Sequence, residues 1–398
     1  MSGAFRKGLY MVGAKRTAFG AFGGALKNLT ATELATHASR AALQAASVSP
    51  EHVDHLIIGN VIQSSADAAY MARHVGIGVG LPVHVPALTL NRLCGSGFQA
   101  VISACQEILA GDASVVVAGG TENMSQAPFA VRGTRFGTYL GQKMEFEDTL
   151  WSGLTDTACK LPMGLTAEKL GEKYKVTREE ADLLAHNSQT RWRLAKNEGR
   201  FTAEIAPLNL KSKKGETMFE VDEHPRETEP EKLAKLPPVF QKNGLVSAGN
   251  ASGVCDGAAS LVVASEAAVK DFHLTPLARI LAWSVVGVEP SIMGIGPAPA
   301  IRNILDTTGL KLQDMDLVEV NEAFAAQAMA VVKELKLDQN KLNVNGGAIA
   351  LGHPLGASGA RITAHLAHEL RRRRGKYGMG AACIGGGQGI AILLESCH

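Results

Sequence analysis

The 398-residue sequence has few aromatic side chains, 5% of the total, and no closely paired cysteines. Its six cysteines stand at 94, 105, 159, 255, 383 and 397. Neither the short spacings of a zinc site nor a disulfide framework is present, so no metal and a reducing compartment are expected. A formal net charge of +2 provides no broad positive field, which excludes nucleic acid as the expected partner. No apolar run approaches the ~18–20 residues of a membrane span, so no integral membrane association is expected. The start also lacks the apolar core and small-residue cleavage site of a secretory signal. Acidic residues are missing there too: the first is Glu33, after Arg6, Lys7, Lys15, Arg16 and Lys27. That bias fits a matrix-targeting segment or, equally, a first strand followed by a basic loop. Gly8-Leu9-Tyr10-Met11-Val12 reads as an opening strand that the core needs, so any address there is expected to stay uncleaved. The C-terminal Ser396-Cys397-His398 is not a peroxisomal address.

What is present is ordinary for a folded globular chain: 46% hydrophobic and 20% charged residues, at a length that allows two or three domains. Forty-three glycines with few aromatics point to tight strand-to-helix turns, hence to an α/β protein. Apolar runs at Leu56–Ile58, Val115–Ala118, Leu261–Val263, Leu317–Val320, Ala381–Ile384 and Ile390–Leu394 mostly do not alternate with polar residues. They read as strands covered on both faces. Phe98, Val101, Ile102, Cys105, Ile108 and Leu109 share one face of a helix over about 96–110.

The two ends of the chain resemble each other. His55–Asn60 matches Asp316–Asn321 at an offset of 261, and Ser96-Gly97 matches Ser358-Gly359 at an offset of 262. A duplicated unit explains the near-equal offsets. From about 121 to 250 the pattern is less regular and richer in charge, as in Lys211-Ser212-Lys213-Lys214-Gly215. This stretch reads as an inserted surface region of the kind that gathers ligand contacts.

Cys94 sits in Asn91-Arg92-Leu93-Cys94-Gly95-Ser96-Gly97, at the start of the amphipathic helix. A thiol facing a helix N-terminus is expected to lose its proton more readily than a free one, which makes Cys94 a candidate nucleophile. Nothing activates Cys105, Cys159, Cys255 or Cys397, which read as small buried hydrophobes. Cys383 enters Ile384-Gly385-Gly386-Gly387-Gln388-Gly389, where glycines leave N–H groups free to face an oxyanion. His353, in Gly352-His353-Pro354-Leu355-Gly356, can accept a thiol proton at neutral pH. Asn321 ends a strand and can polarise a carbonyl or cap a helix.

Together Asn91–Gly97, Asn321-Glu322-Ala323-Phe324, Gly352–Gly356 and Cys383–Gly387 resemble the thiolase family, in family order and over nearly the whole chain. The resemblance implies two similar βαβαβαββ halves in a five-layer αβαβα core. It implies an N-terminal half of residues 1–120 and 251–272, an inserted loop domain of 121–250 for coenzyme A and oligomer contacts, and a C-terminal half of 273–398. Cys94 would be the acylated nucleophile, His353 its activator and Cys383 the acid/base. Asn321 through a water, with His353, would form one oxyanion hole; the N–H groups of Cys94 and Gly385 would form the other. Ser252 would meet the pantetheine arm of coenzyme A, and Arg226 and Thr228 its nucleotide end. The implied reaction is cleavage of 3-ketoacyl-CoA by coenzyme A in fatty acid β-oxidation. Coenzyme A is then a substrate, no cofactor is needed, and the implied assembly is a mitochondrial homotetramer. Acetoacetyl-CoA-type members carry His where this chain has Pro162, which favours the broad-range degradative branch. The rival readings are an acetoacetyl-CoA thiolase working in condensation, a cysteine hydrolase using Cys94, His353 and Asn321, and a non-catalytic coenzyme A or lipid carrier on the same fold. The Arg371–Arg374 run reads as a helix C-terminus complementing its dipole.

Overall fold

Among the described residues nine strands form one hydrogen-bonded path: β1 (Leu9–Arg16), β3 (His55–Gly59), β4 (Ala87–Leu90), β5 (Val115–Asn123), β6 (Cys255–Ser265), β7 (Ala278–Gly287), β8 (Leu317–Val320), β9 (Tyr377–Ile384) and β10 (Gln388–Ser396). The two-residue β2 (Gly20–Ala21) pairs on the side with β6. The order across the sheet is β8-β9-β10-β7-β1-β6-β5-β3-β4. This computed structural model describes residues 8–212 and 215–398, so Arg6, Lys7, Lys213 and Lys214 lie outside the described residues.

Among the described residues only two pairs, Tyr10 with Arg279 and Met11 with Ala278, join the strands of the two halves. Each half is otherwise a sheet of its own. Helices α1 (Ala31–Ala46) and α2 (Met71–Val79) cover one face of the first sheet, with Leu34, Ala38 and Val75 packed on Val115, Val117 and Val262. The insertion carries α4 (Met163–Lys173) and α5 (Arg178–Asn197). Helices α6 (Pro297–Thr308) and α7 (Ala325–Leu335) cover the outer face of the second sheet, with Ile301, Ile304 and Val331 packed on Val318, Met379 and Leu393. Between the sheets lie α3 (Ser96–Ala110) and α8 (Leu355–Arg373), whose Phe98, Ile102 and Ile362 meet strands of both halves in one buried cluster. Helix, sheet, helix pair, sheet, helix gives five layers, as the resemblance implied.

The duplication is visible in the element order. The first half runs β1-α1-β3-α2-β4-α3-β5-β6, and the second β7-α6-β8-α7-α8-β9-β10. The third strand of the second half shrinks to a single parallel bridge between Val318 and Leu342. Cys94 and Cys383 therefore come from unlike positions in the two units. The predicted apolar runs all fall in strands, and the helix expected over about 96–110 spans Ser96–Ala110. The expected edge of the insertion at 120 falls inside β5, which continues to Asn123.

The insertion is secured to the core by buried charge. Arg16, fully buried on β1, donates to Glu204 at 2.7 Å and to Asp222 at 2.6 Å, both from the inserted region. Glu204 in turn meets Nδ1 of His365 on α8 at 2.6 Å. Lys15 donates to the Ala203 carbonyl. Two of the five early basic residues are thus structural partners rather than members of a free basic segment. At the other end, Arg372 and Arg373 pair with Glu369 in the last turns of α8. Among the described residues no helix is long and apolar enough to cross a membrane, and no group of three His, Cys, Asp or Glu is arranged to hold a metal ion.

The repeated Ser-Gly pairs have a common mechanical reason. Gly97 on α3 and Gly359 on α8 lie where the two central helices touch backbone to backbone: a Cβ on Gly97 would collide with the Ala360 nitrogen, and one on Gly359 with the Phe98 nitrogen. Backbone cannot yield as a flexible side chain can. Gly97→Ala should therefore lose about 3 kcal/mol of folding stability, the upper part of the overpacking range. Chemical denaturation measures this, and an unmoved midpoint would mean the helices separate freely at that crossing.

Candidate active site

Cys94 stands on a strained elbow between β4 and α3. Leu93 takes a left-handed backbone, φ 46°, which side chains with a Cβ rarely adopt. Three bonds hold it there. The Leu93 N–H donates to Asn91 Oδ1 at 2.9 Å, the Arg92 N–H to Ser96 Oγ at 2.8 Å, and Ser96 Oγ to the Leu93 carbonyl at 2.7 Å. The elbow turns Cys94 into a cavity of about 310 Å³ with a predominantly apolar wall, including Met163, Phe240, Phe324 and Leu355.

The thiol does not behave as its helix position alone predicts. Burial pushes the Cys94 thiol up to about 11, against the N–H groups of Gly385 and of Cys94 itself, which favour the thiolate, and the nearby Glu122 carboxylate opposes ionisation further. The expectation of a lowered thiol is corrected: withdrawal from water outweighs the helix terminus, so the resting sulfur carries its proton. The two N–H groups do converge on the sulfur, which is the geometry of an oxyanion hole for a carbonyl carbon attached there.

His353, only 5% exposed, is the group that could accept the Cys94 proton. Its Nδ1 lies 2.6 Å from Ser358 Oγ, and that hydroxyl donates to the Pro354 carbonyl at 3.0 Å. Ser358 therefore has only a lone pair to offer, so the imidazole proton sits on Nδ1 and Nε2 is left as the acceptor. Nε2 faces Asn321 Nδ2 at 3.3 Å, while the Asn321 Oδ1 is buried without a protein partner. Burial, with Arg361 adding to it, pushes the imidazole down to about 3, so it too is neutral at rest. With both groups neutral at rest, proton transfer from sulfur to imidazole alone is opposed by burial. Transfer must accordingly be coupled to attack on a carbonyl, where the N–H groups gain a negative oxygen to bind. Asn321 does not cap a helix; the next helix is preceded by Phe324.

Cys383 is fully buried behind the cavity wall, packed on Met293, Ala323, Met163 and Phe324. Burial, and to a lesser extent the charge Cys94 would carry, hold its thiol far above the usual range. The two sulfurs are thus close enough that ionising one opposes ionising the other. Gly386 and Gly387, at φ 77° and 80°, turn the chain after Gly385 so that its N–H reaches the Cys94 sulfur. Of the remaining cysteines, Cys105 and Cys255 are buried as expected, whereas Cys159 and Cys397 are partly exposed.

Ser252 lines the Cys94 cavity, its hydroxyl and N–H both donating to the Ala323 carbonyl. Arg226 and Thr228 do not line it. They border a second cavity of about 240 Å³ together with His186, Arg193 and Lys196. Arg226 donates to the carbonyl of Ala248, which is itself on the wall of the first cavity. The two cavities are therefore neighbours, in the arrangement that a long ligand with an apolar arm and an anionic end would need. Sequence reasoning passed over Ser358 and the buried carboxylates Glu122 and Glu322. A charged residue near the end of a strand that opens as an apolar run, as Glu122 is after Val115–Ala118, was the available signal.

With this geometry in place, comparison with known proteins identifies the class. The thiolase N-terminal domain model matches residues 9–267 and the thiolase C-terminal domain model residues 274–396. The chain belongs to the thiolase family of acyltransferases. Among its relatives, the mitochondrial 3-ketoacyl-CoA thiolase of Bos taurus is 60% identical over 99% of both chains. The crystal structure of human mitochondrial 3-ketoacyl-CoA thiolase in complex with CoA superposes with a TM-score of 0.97 at 59% identity, covering 99% of each chain. The acetyl-CoA acetyltransferase of Pseudomonas aeruginosa is 47% identical over 96% of this chain and 98% of its own.

A thiol held up to about 11 gains thiolate as pH rises, about tenfold per pH unit below that value. Alkylation of Cys94 by iodoacetamide in the absence of substrate should still be accelerating at pH 9. A plateau near pH 7 would show a sulfur already ionised in the resting protein.

Proposed function

We propose that the chain catalyses thiolytic cleavage of 3-ketoacyl-CoA by coenzyme A in fatty acid β-oxidation, giving acetyl-CoA and a shortened acyl-CoA. The observation that carries this reading is the pair of thiols: Cys94 under two N–H groups in the cavity, and Cys383 close behind its wall. A cysteine hydrolase has no use for the second, and a carrier has no use for either. The names of the bovine and human relatives support the same reading.

In the proposed sequence His353 Nε2 takes the Cys94 proton as the sulfur attacks the 3-keto carbon. The resulting oxyanion is bound by the N–H groups of Cys94 and Gly385. The carbon–carbon bond then breaks, its electron pair passing to the acetyl-CoA enolate, whose oxygen accepts from protonated His353 and, through a water, from Asn321. Cys383 donates its proton to the enolate carbon and acetyl-CoA leaves. The Cys383 thiolate takes the thiol proton of incoming coenzyme A. That sulfur attacks the acyl carbon, and Cys94 departs, recovering its proton from His353. Every proton is returned with coenzyme A as the only further reactant.

Ser252 is assigned to the pantetheine arm, and Arg226 and Thr228 to the nucleotide end, from their two adjoining cavities. The assignment of residues 1–120 with 251–272 and 273–398 to the two halves, and of 121–250 to a loop domain, belongs to the same proposal. So does a homotetramer located in the mitochondrial matrix with an uncleaved start. The location is supported by the relatives' names, and an uncleaved start by the place of Leu9–Arg16 within the sheet. The alternative, acetoacetyl-CoA synthesis by condensation, is disfavoured by Pro162 at the entry to the helix that opens with the cavity residue Met163.

Cys94→Ala should abolish the single acetyl adduct seen by intact-protein mass after mixing with acetyl-CoA. Cys383→Ala should keep that adduct while losing thiolysis by at least ~10³-fold and losing exchange of the acetyl-CoA α-protons. Full turnover by Cys383→Ala, or an unchanged mass for the parent protein, overturns the reading.

A further inference from the structure

Two buried carboxylates outside the reacting set grip the segment that carries His353 from its two ends. Glu322, 3% exposed, follows Asn321 in the chain and lies beneath that segment. Its Oε2 accepts from the Ile349 N–H at 3.2 Å and from Ser188 Oγ at 2.7 Å, and its Oε1 accepts from Asn343 Nδ2 at 2.7 Å. Ser188 Oγ also accepts from the Gly347 N–H at 2.9 Å. Space at Gly347 is so tight that a Cβ there would strike the Glu322 carboxylate. At the far end, fully buried Glu122 accepts the Gly356 N–H on Oε2 at 2.9 Å. The same carboxylate accepts from Asn60 Nδ2 at 3.0 Å, the Val61 N–H at 3.2 Å and the Ile62 N–H at 2.9 Å. Ile62 packs with Leu355 in the cluster that borders Cys94.

These bonds have a direction that matters for the reaction. Residues 349 and 356 bracket His353 four positions before and three after, so the imidazole is fixed between two anchored points. One anchor comes from the second half beside Asn321. The other comes from the first half and also holds the loop next to Cys94. We propose that Glu122 and Glu322 are positioning residues that set His353 against Cys94 and Asn321, each by holding one end of segment 349–356. The inference rests on the assignment of His353 as the group that takes the Cys94 proton.

Ordering a base this way affects proton transfer rather than binding of coenzyme A, because neither Glu122 nor Glu322 is hydrogen-bonded to Ser252, Arg226 or Thr228. Loss of either anchor should slow acetylation of Cys94 by acetyl-CoA while leaving the half-saturating concentration unchanged. Acting through His353, the loss should also vanish when His353 is already removed. The experiment measures the acetylation rate of the full-length protein by quenched intact mass for the parent, Glu322→Gln, Ser188→Ala, His353→Ala and the corresponding double variants. Glu322→Gln and Ser188→Ala should each be slower by 10-fold or more at pH 7. Combined with His353→Ala, neither should slow the reaction beyond His353→Ala alone. Ser188→Ala, which removes only a hydroxyl, serves if Glu322→Gln does not fold. Multiplicative losses in the double variants, a raised half-saturating concentration as the main effect, or full rates in both single variants would overturn the proposal while an acetylated parent left the catalytic reading standing. A parent that is never acetylated removes the reading itself.

Glu122→Gln provides the test from the other half. Whichever way its amide is turned, an NH2 group replaces an oxygen that accepts two N–H donors. It should slow acetylation, and again only while His353 is present, although loss of the Glu122 charge by itself favours the Cys94 thiolate and would speed the reaction; a slowing that persists without His353 would reassign Glu122 to folding alone.

Discussion

The architecture depends on one close approach, that of α3 against α8 at Gly97 and Gly359. Because backbone meets backbone there, the N-termini of the two central helices come together at the plane between the sheets. Cys94 precedes one of them and His353 the other. The proposed nucleophile and base, from sequence positions more than two hundred residues apart, thus share one small cavity without a loop having to reach across. The cost is that the reacting groups are deep, and depth rather than the helix dipole sets their protonation.

Depth also explains why the polar groups around the cavity come in satisfied sets. Ser358 fixes the imidazole tautomer through a hydroxyl whose own proton is committed to the Pro354 carbonyl. Each oxygen of Glu122 accepts two N–H groups, which opposes the burial that pushes its carboxyl up to about 7. Asn321 Oδ1 is a buried exception lacking a protein partner, and it lies in the oxyanion site assigned to the enolate. An unmet acceptor at such a point is where a bound water or substrate group has most to gain.

Much of this was legible in the sequence, for reasons that differ by element. Val115–Ala118 and Ile390–Leu394 are strands covered on both faces, so they lack alternation and stand out as short apolar runs. The helix from Ser96 kept its period because one face meets both sheets. Three glycine-rich segments, Asn91–Gly97, Gly352–Gly356 and Cys383–Gly387, disclosed the candidate site because backbone that must approach closely leaves little choice of residue. The state of the Cys94 thiol was misread because local sequence shows the helix end but not the burial created by residues hundreds of positions away. Glu322 was quoted without a role, since the partners of a buried carboxylate come from the insertion and from a later loop. Arg16 was read as part of a targeting segment or of a basic loop for the same reason.

Arg16 carries a consequence for how the chain matures. Its strand is interior to the sheet, yet its neighbours begin at Cys255 and Ala278, its counter-ions are Glu204 and Asp222, and the histidine completing that charge set is residue 365. During synthesis the first strand has nothing to pair with until some two-thirds of the polypeptide has emerged, and a guanidinium waits longer still for its full setting. Completion of the central sheet is therefore a late event of high contact order, and the emerging first strand stays unpaired throughout that wait.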